Sequence, residues 1–320
     1  MLGNHNRPRL LADIGGTNAR FALAGADGRP YGERILPVAD YPNIVAAITA
    51  YLQAVPEPLP QEAALAVAMP IIGDHVTMTN NERWSFSIEA TRQALGLKRL
   101  ILLNDFTALA LALPRLEKHE IHQVGGGLPV AEATIGLLGS GTGLGVSGLV
   151  WSGRHWIALR SEGGHVTFSA VNDREWEIFR LLQRRFGHVS TERLLSGPGL
   201  VNLHQALTEL EGQPIENITP ALITEQGLNG SCPICRQTLE IFCTALGTAA
   251  GNLAVTLGAL GGIYIGGGVI PRLGEFFDHS AFRTRFEAKG RFASYLAAIP
   301  TYVITAVNPA LRGVAAVFQD

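Results

Sequence analysis

The chain has 320 residues, long for a single core, so two domains are expected. Hydrophobic residues make up 47% and charged residues 16%, and the net charge of -2 gives no electrostatic basis for binding nucleic acid or an anionic membrane. Three cysteines are too few for a disulfide framework, and the opening MLGNHNRPR lacks the apolar core of a signal peptide, so the expectation is a soluble cytoplasmic protein.

Along the chain, apolar runs alternate with glycine-rich turns. Residues 9–14 and 19–24 read as strands joined by Gly15-Gly16-Thr17-Asn18. A third strand is expected at 35–38, a helix over 42–55, and strands at 65–69 and 75–79. Ser87 is placed to cap a helix running through Leu95. Residues 100–103 form an apolar run that stops at Asn104-Asp105, where a helix through Leu113 begins. The pattern restarts at 134–138, turns through the glycines of 139–145, and returns as strands near 146–151 and 155–159. Two openings of the form strand, glycine turn, strand hint at two related halves joined near 114–129.

From Asp173 the chain reads as largely helical, with helices at 175–186, 199–210 and within 238–260. A strand at 262–265 runs into Gly266-Gly267-Gly268, Pro271 suits an early helical position, and a strand at 302–305 precedes a closing helix at 310–317. Residues 241–260 carry no charge and meet the length rule for a membrane span. Thr244, Thr248, Asn252 and Thr256 recur every four residues as a polar stripe, and no basic clusters flank the segment, so it is expected to be a buried helix.

Chemistry gathers outside the carboxyl ends of strands in open α/β sheets, which singles out Asp105. An Asp there also serves as an ordinary helix cap. The two glycine turns offer unobstructed backbone N–H groups suited to phosphate oxygens. Neither is a dinucleotide fingerprint, because a strand follows each one, and there is no Gly-Lys-Ser/Thr of a Walker loop. Asp13, at a strand end with no helix after it, is suited to hold Mg²⁺ through water, or is a solvated turn residue. Glu162, His165 and Glu192 with Asn104 and Asp105 supply the donors and acceptors that a polyol needs. Cys232-Pro-Ile-Cys235 has metal-ligand spacing, but a closed zinc site needs four ligands, and only Cys243 and scattered histidines remain; no dedicated metal site is expected.

In order and combination these motifs resemble the bacterial glucokinases, from Ala12 to about Gly313. The carriers are Asp13-Ile-Gly-Gly-Thr-Asn-Ala-Arg20, Leu103-Asn-Asp-Phe106, Gly141-Thr-Gly-Leu-Gly145, Glu162-Gly-Gly-His165, Glu192-Arg-x-Leu-Ser-Gly-Pro-Gly199 and Ile265-Gly-Gly-Gly268. The resemblance implies an α/β, two-domain actin-like ATPase (ribonuclease H-like) fold with a cleft between domains. It implies a small domain at 1–115, completed by about 306–320, and a large domain at 116–305. It implies ATP and Mg²⁺ as cofactors and transfer to the 6-hydroxyl of D-glucose, with Asn104, Asp105, Glu162, His165 and Glu192 on the sugar and Asp105 as catalytic base. Asp13, Gly15, Gly16, Thr17, Asn18, Gly141, Thr142 and Gly143 would grip the nucleotide phosphates, and Gly266, Gly267 and Gly268 would face the adenosine. A homodimer is implied, with no nucleic-acid or membrane partner. In the related repressor/kinase group a histidine at the Gly-His position binds zinc with a nearby cysteine cluster; residues 166–173 here hold no cysteine, which favours the zinc-free branch. A kinase for another hexose and a non-catalytic sugar-binding regulator are the alternatives. The regulator would carry a DNA-binding helix pair, for which the eight residues before Arg9 leave no room.

Overall fold

A computed structural model describes residues 7–55, 58–78 and 84–319. The chain divides into two compact units. The first takes the residues up to Leu116, the segment Ser152–Arg160 and the chain from Ala306; the second takes Glu117–Trp151 and Ser161–Thr305.

The first unit opens with β1 (Arg9–Ile14), β2 (Asn18–Ala24), β3 (Pro30–Pro37), α1 (Ile44–Gln53), β4 (Glu62–Val67), β5 (His75–Val76), β6 (Phe86–Ser87), α2 (Ile88–Ala94), β7 (Arg99–Asn104) and α3 (Asp105–Ala112). Its sheet runs β3-β2-β1-β4-β7. The hairpin strands pair antiparallel, while β1, β4 and β7 are parallel neighbours. A parallel strand is covered on both faces, which is why β4 buries every residue from Ala63 to Val67. Asn43 caps α1 through Ala46 N–H, and Ser87 caps α2 through Ala90 N–H. Three strands differ from expectation, the first being the one read at 65–69, which spans Glu62–Val67. The strand read at 35–38 spans Pro30–Pro37, because its first half is exposed and carries no apolar run, and Val38 opens a short 3₁₀ turn. The strand read at 75–79 ends at Val76, and Thr79 lies outside the described residues.

The second unit begins with β8 (Ile121–Gln123), β9 (Ile135–Ser140) and β10 (Leu144–Trp151); the chain then returns to the first unit for β11 (Trp156–Leu159). Next come α4 (Asp173–Phe186), α5 (Gly197–Leu210), α6 (Pro220–Asn229), α7 (Pro233–Leu257), β12 (Ile263–Gly266), α8 (Glu275–Asp278), α9 (Phe282–Glu287), α10 (Ala293–Ala297) and β13 (Thr301–Ile304). In this unit β10, β9, β12, β13 and β8 lie side by side in that order. The order β10-β9-β12-β13 repeats β2-β1-β4-β7: an antiparallel hairpin followed by two parallel strands. The two openings read as related halves therefore share a topology.

Among the described residues α7 is the one helix long and apolar enough to cross a membrane, yet 61% of its most apolar window is buried. Leu239, Phe242, Leu246 and Ala250 sit fully inside the second unit's core, as expected of a buried helix. Closing the chain, α11 (Ala310–Ala316) returns to the first unit and packs on α3. The two backbones touch at Gly313, where a Cβ would fall on the Ala108 carbonyl oxygen. That approach fixes the helix whose first residue is Asp105.

Candidate active site

In the first unit the candidate residues gather at the carboxyl ends of β1 and β7, which flank β4 in the sheet. Asn104, not Asp105, is the cap of α3: its Oδ1 accepts from Phe106 N–H at 2.9 Å and Thr107 N–H at 3.2 Å. This separates Asp105 from the bland role of a cap. It leaves the Asn104 amide N–H₂ for other work, with Met69 O at 3.4 Å. Asp105 is half-buried at the first helical position, and its Oδ1 accepts from Phe106 N–H at 2.8 Å. Burial, reinforced by the nearby Asp13 charge, outweighs that hydrogen bond and pushes the Asp105 carboxyl up to about 6. A carboxylate with that affinity for protons is matched to a general base near neutral pH.

Asp13 pairs with Arg20, Oδ2 to guanidinium at 3.3 Å. The residues face each other across the hairpin, in register, and their positions symmetric about the turn were a legible signal that the sequence reading passed over. Burial raises the Asp13 carboxyl above its usual range, and Arg20 opposes that rise. Among the described residues Asp13 Oδ1 has no hydrogen-bond partner, so one oxygen of the carboxylate keeps its lone pairs available to a hydrated cation.

The two glycine turns are built alike. In the first, Gly15 N–H closes onto Asn18 O at 3.0 Å; in the second, Gly141 N–H closes onto Gly143 O at 2.9 Å. Those two donors are spent inside the turns. The N–H groups of Gly16, Thr17, Thr142 and Gly143 donate to no protein partner among the described residues. Each turn thus presents two adjacent free N–H groups, an anion-binding arrangement. Asn18 begins β2, and its carbonyl oxygen closes the first turn.

In the second unit the remaining candidates converge on the second turn. Glu192 sits in a 3₁₀ turn, Thr191–Arg193, and its Oε2 accepts from Leu144 N–H at 2.9 Å, just past the turn. A Cβ at Gly143 would lie 2.6 Å from that oxygen, so the glycine gives the carboxylate its seat. Gly197 N–H, at the start of α5, donates to Gly141 O at 2.8 Å. Glu162 and His165 flank another 3₁₀ turn, Gly163–His165, with both side chains exposed. That turn rests on β10 through Gly164, where a Cβ would strike the Leu144 carbonyl oxygen. Thr191 N–H donates to Val166 O at 2.8 Å and ties the two 3₁₀ turns together. The loop Gly266–Gly268 follows β12, whose parallel neighbour is β9; Gly267 lies against the Ser140 backbone, and Val269 N–H donates to Ser140 O at 3.2 Å. Ser140 Oγ is fully buried there without a partner, a feature no motif announced. A cavity of about 280 Å³ also opens in this unit, between Val146 and Phe168 on one side and Ala245 and Leu253 on the other. None of the candidate carboxylates or His165 lines it, so it is not the polyol site.

Comparisons with known proteins identify the family of the chain. The family model described as Glucokinase matches residues 10–320. A glucokinase of Chromobacterium violaceum is 56% identical over 315 residues, covering 98% of this chain and 90% of that protein. The crystal structure of a glucokinase from an Antarctic psychrotroph superposes with a TM-score of 0.89 at 37% identity, covering 98% of each chain. A ROK family glucokinase from Streptomyces griseus, solved with glucose and AMPPNP, shares the fold with a TM-score of 0.65 at 17% identity, covering 98% of this chain and 100% of that one. With a match of this extent, the chain belongs to the glucokinase family.

Proposed function

We infer that this chain is a hexose kinase that transfers the γ-phosphoryl group of ATP to the 6-hydroxyl of D-glucose, with Asp105 as the general base. The observation that carries the base assignment is the half-buried Asp105 carboxyl, held up to about 6 at the carboxyl end of β7, in a chain whose relatives are glucokinases. Asn104 and Asp105 of the first unit, and Glu162, His165 and Glu192 of the second, are the residues we assign to sugar binding. The Asn104 amide donates, because its oxygen is occupied by α3. Glu192 keeps one oxygen on Leu144 N–H and turns the other to the sugar, coupling sugar to the phosphate-binding turn.

In the reaction Asp105 accepts the proton of the 6-hydroxyl while that oxygen bonds to the γ-phosphorus. The bond from the γ-phosphorus to the β–γ bridging oxygen breaks, and ADP leaves. Transition states of this kind are loose, so orientation and charge stabilisation outweigh covalent help. The free N–H groups of Gly16, Thr17, Thr142 and Gly143 take up phosphate charge at no reorganisation cost, because hydrogen bonds within each turn already fix them. Gly266–Gly268 meets the adenosine end. Asp13 fits Mg²⁺ held through water, and the ion when bound neutralises charge on the phosphate oxygens. The same reading extends to a homodimer in the cytoplasm.

The substrate is tested by mass spectrometry and NMR of the product formed from glucose, mannose, fructose and N-acetylglucosamine with Mg-ATP. Glucose 6-phosphate formed with a kcat/KM at least about tenfold above each competitor, a margin of ~1.4 kcal/mol in the barrier, is expected. A higher kcat/KM for any other hexose would reassign the substrate.

A further inference from the structure

One cluster in the second unit takes no part in the kinase reading. Cys232 caps α7, its Sγ accepting from Cys235 N–H at 3.1 Å. Cys235 is fully buried, and its Sγ–H donates to Gln226 Oε1 of α6 at 3.5 Å. From α5, His204 joins them: it is 8% exposed, and its Nδ1 is buried with no hydrogen-bond partner. A ring nitrogen of His204 and the two sulfurs all lie within 4.8 Å of one another. An unpaired buried polar group is unfavourable, and nothing among the described residues satisfies this imidazole nitrogen.

We propose that His204, Cys232 and Cys235 bind a soft divalent cation of the Zn²⁺ class, with Gln226 Oε1 as fourth ligand, as a clip joining α5, α6 and α7. The donor set is of the thiolate and imidazole type that such ions prefer. Tetrahedral bonds of about 2.3 Å to sulfur and 2.0–2.1 Å to nitrogen and oxygen place ligand atoms roughly 3.5–3.8 Å apart. The Cys235 sulfur and Gln226 oxygen already meet that spacing, and side-chain rotations that move the ligand atoms of His204, Cys232 and Cys235 by about 1 Å bring those three to it. Each thiol gives up its proton as the ion enters. The site is separate from the Gly164-His165 position, and its sequence signal was half present: the Cys-x-x-Cys pair is legible, but the third ligand lies 28 residues upstream of Cys232 and only the packing of α5 on α7 reveals it.

The test uses the full chain, stripped with a chelator under reducing conditions and titrated with Co²⁺ and Zn²⁺. One Co²⁺ per chain, with a thiolate-to-cobalt charge-transfer band in the near ultraviolet and displacement by Zn²⁺, is expected. Zn²⁺ should also raise the Tm. Cys232→Ser keeps a good helix cap, so its fold should survive. It should lose the band and bind at least about 100-fold more weakly, a loss that removal of a supporting residue alone can cause. Glucose-dependent turnover should persist in that variant. His204→Gln serves as a second removal of a ligand. A wild-type chain that shows no band, a band unchanged in Cys232→Ser, or oxidation of Cys232 and Cys235 to a disulfide with no metal uptake would each overturn the proposal. The readout is metal binding and not phosphoryl transfer, so its failure leaves the kinase assignment standing.

Discussion

At the scale of residues, Asp105 carries a conflict between stability and chemistry. A carboxylate whose proton affinity is raised on folding stabilises the fold while protonated. That contribution is complete below the unfolded value of 3.8 and is lost as pH rises through about 6. At pH 7 the charged form therefore costs stability, by up to about 3 kcal/mol for a shift of this size. Asp105→Asn keeps the acceptor for Phe106 N–H and removes the charge. Its Tm at pH 7 is expected to rise while turnover falls at least the ~10²–10⁴-fold that a general base supplies. Differential scanning calorimetry checks the first half, and a lowered Tm would show that the charge is better solvated than its burial indicates. In the wild type, kcat should fall tenfold per pH unit on the acid side of about 6, read from a pH–rate profile. An acid limb centred near 4 would remove the burial argument.

At the scale of elements, the site depends on close backbone approach. Gly164 lets the Gly163–His165 turn lie on β10. Gly164→Ala must lift that turn and displace Glu162 and His165 by a fraction of an ångström to an ångström. Misplacement on that scale costs on the order of 10²-fold, so kcat/KM for glucose should drop by about that factor while KM for ATP changes little. Steady-state kinetics with each substrate varied separately will show it; an equal rise in both KM values would mean that β10 itself has moved. Much of this layer was legible in the sequence. The hairpins of β1–β2 and β9–β10 follow from apolar runs around glycine turns, and Asn104-Asp105 from a run that stops where a helix starts. Other elements were not. The helix α6, Pro220–Asn229, fully buries only Ile223 and Gly227 and has little apolar periodicity, although Thr219 and Pro220 form a cap and first position that announce it. The helix α7 starts at Pro233, five residues before the expected start, because Arg236 and Gln237 interrupt its apolar pattern and its boundary signal is the Cys232-Pro233 pair. The sequence singles out Glu192 as a candidate carboxylate, but its hold on Leu144 N–H joins residues 48 apart, and only packing defines it.

At the scale of the whole molecule, the two units repeat one topology, and each keeps its own hydrophobic core. The first unit is discontinuous, and its last element, α11, supports α3 from the far end of the chain. Gly313→Leu puts a side chain where the two helix backbones touch, with no room short of separation. Overpacking of this kind typically costs ~1–3 kcal/mol or more. The variant should lose that stability in urea unfolding and lose activity as well, because α3 begins at Asp105. Retained stability would mean that α11 docks loosely. The family match, the paired turns and Asp105 converge on phosphoryl transfer to glucose, and one measurement tests that claim most directly: ADP formation from Mg-ATP with and without glucose, for the wild type and for Asp105→Asn, with glucose binding measured by calorimetry in both. The expected result is turnover that requires glucose in the wild type and is lost in the variant, while the variant still binds glucose. Turnover in Asp105→Asn within tenfold of the wild type, or wild-type ADP formation indifferent to glucose, would contradict it.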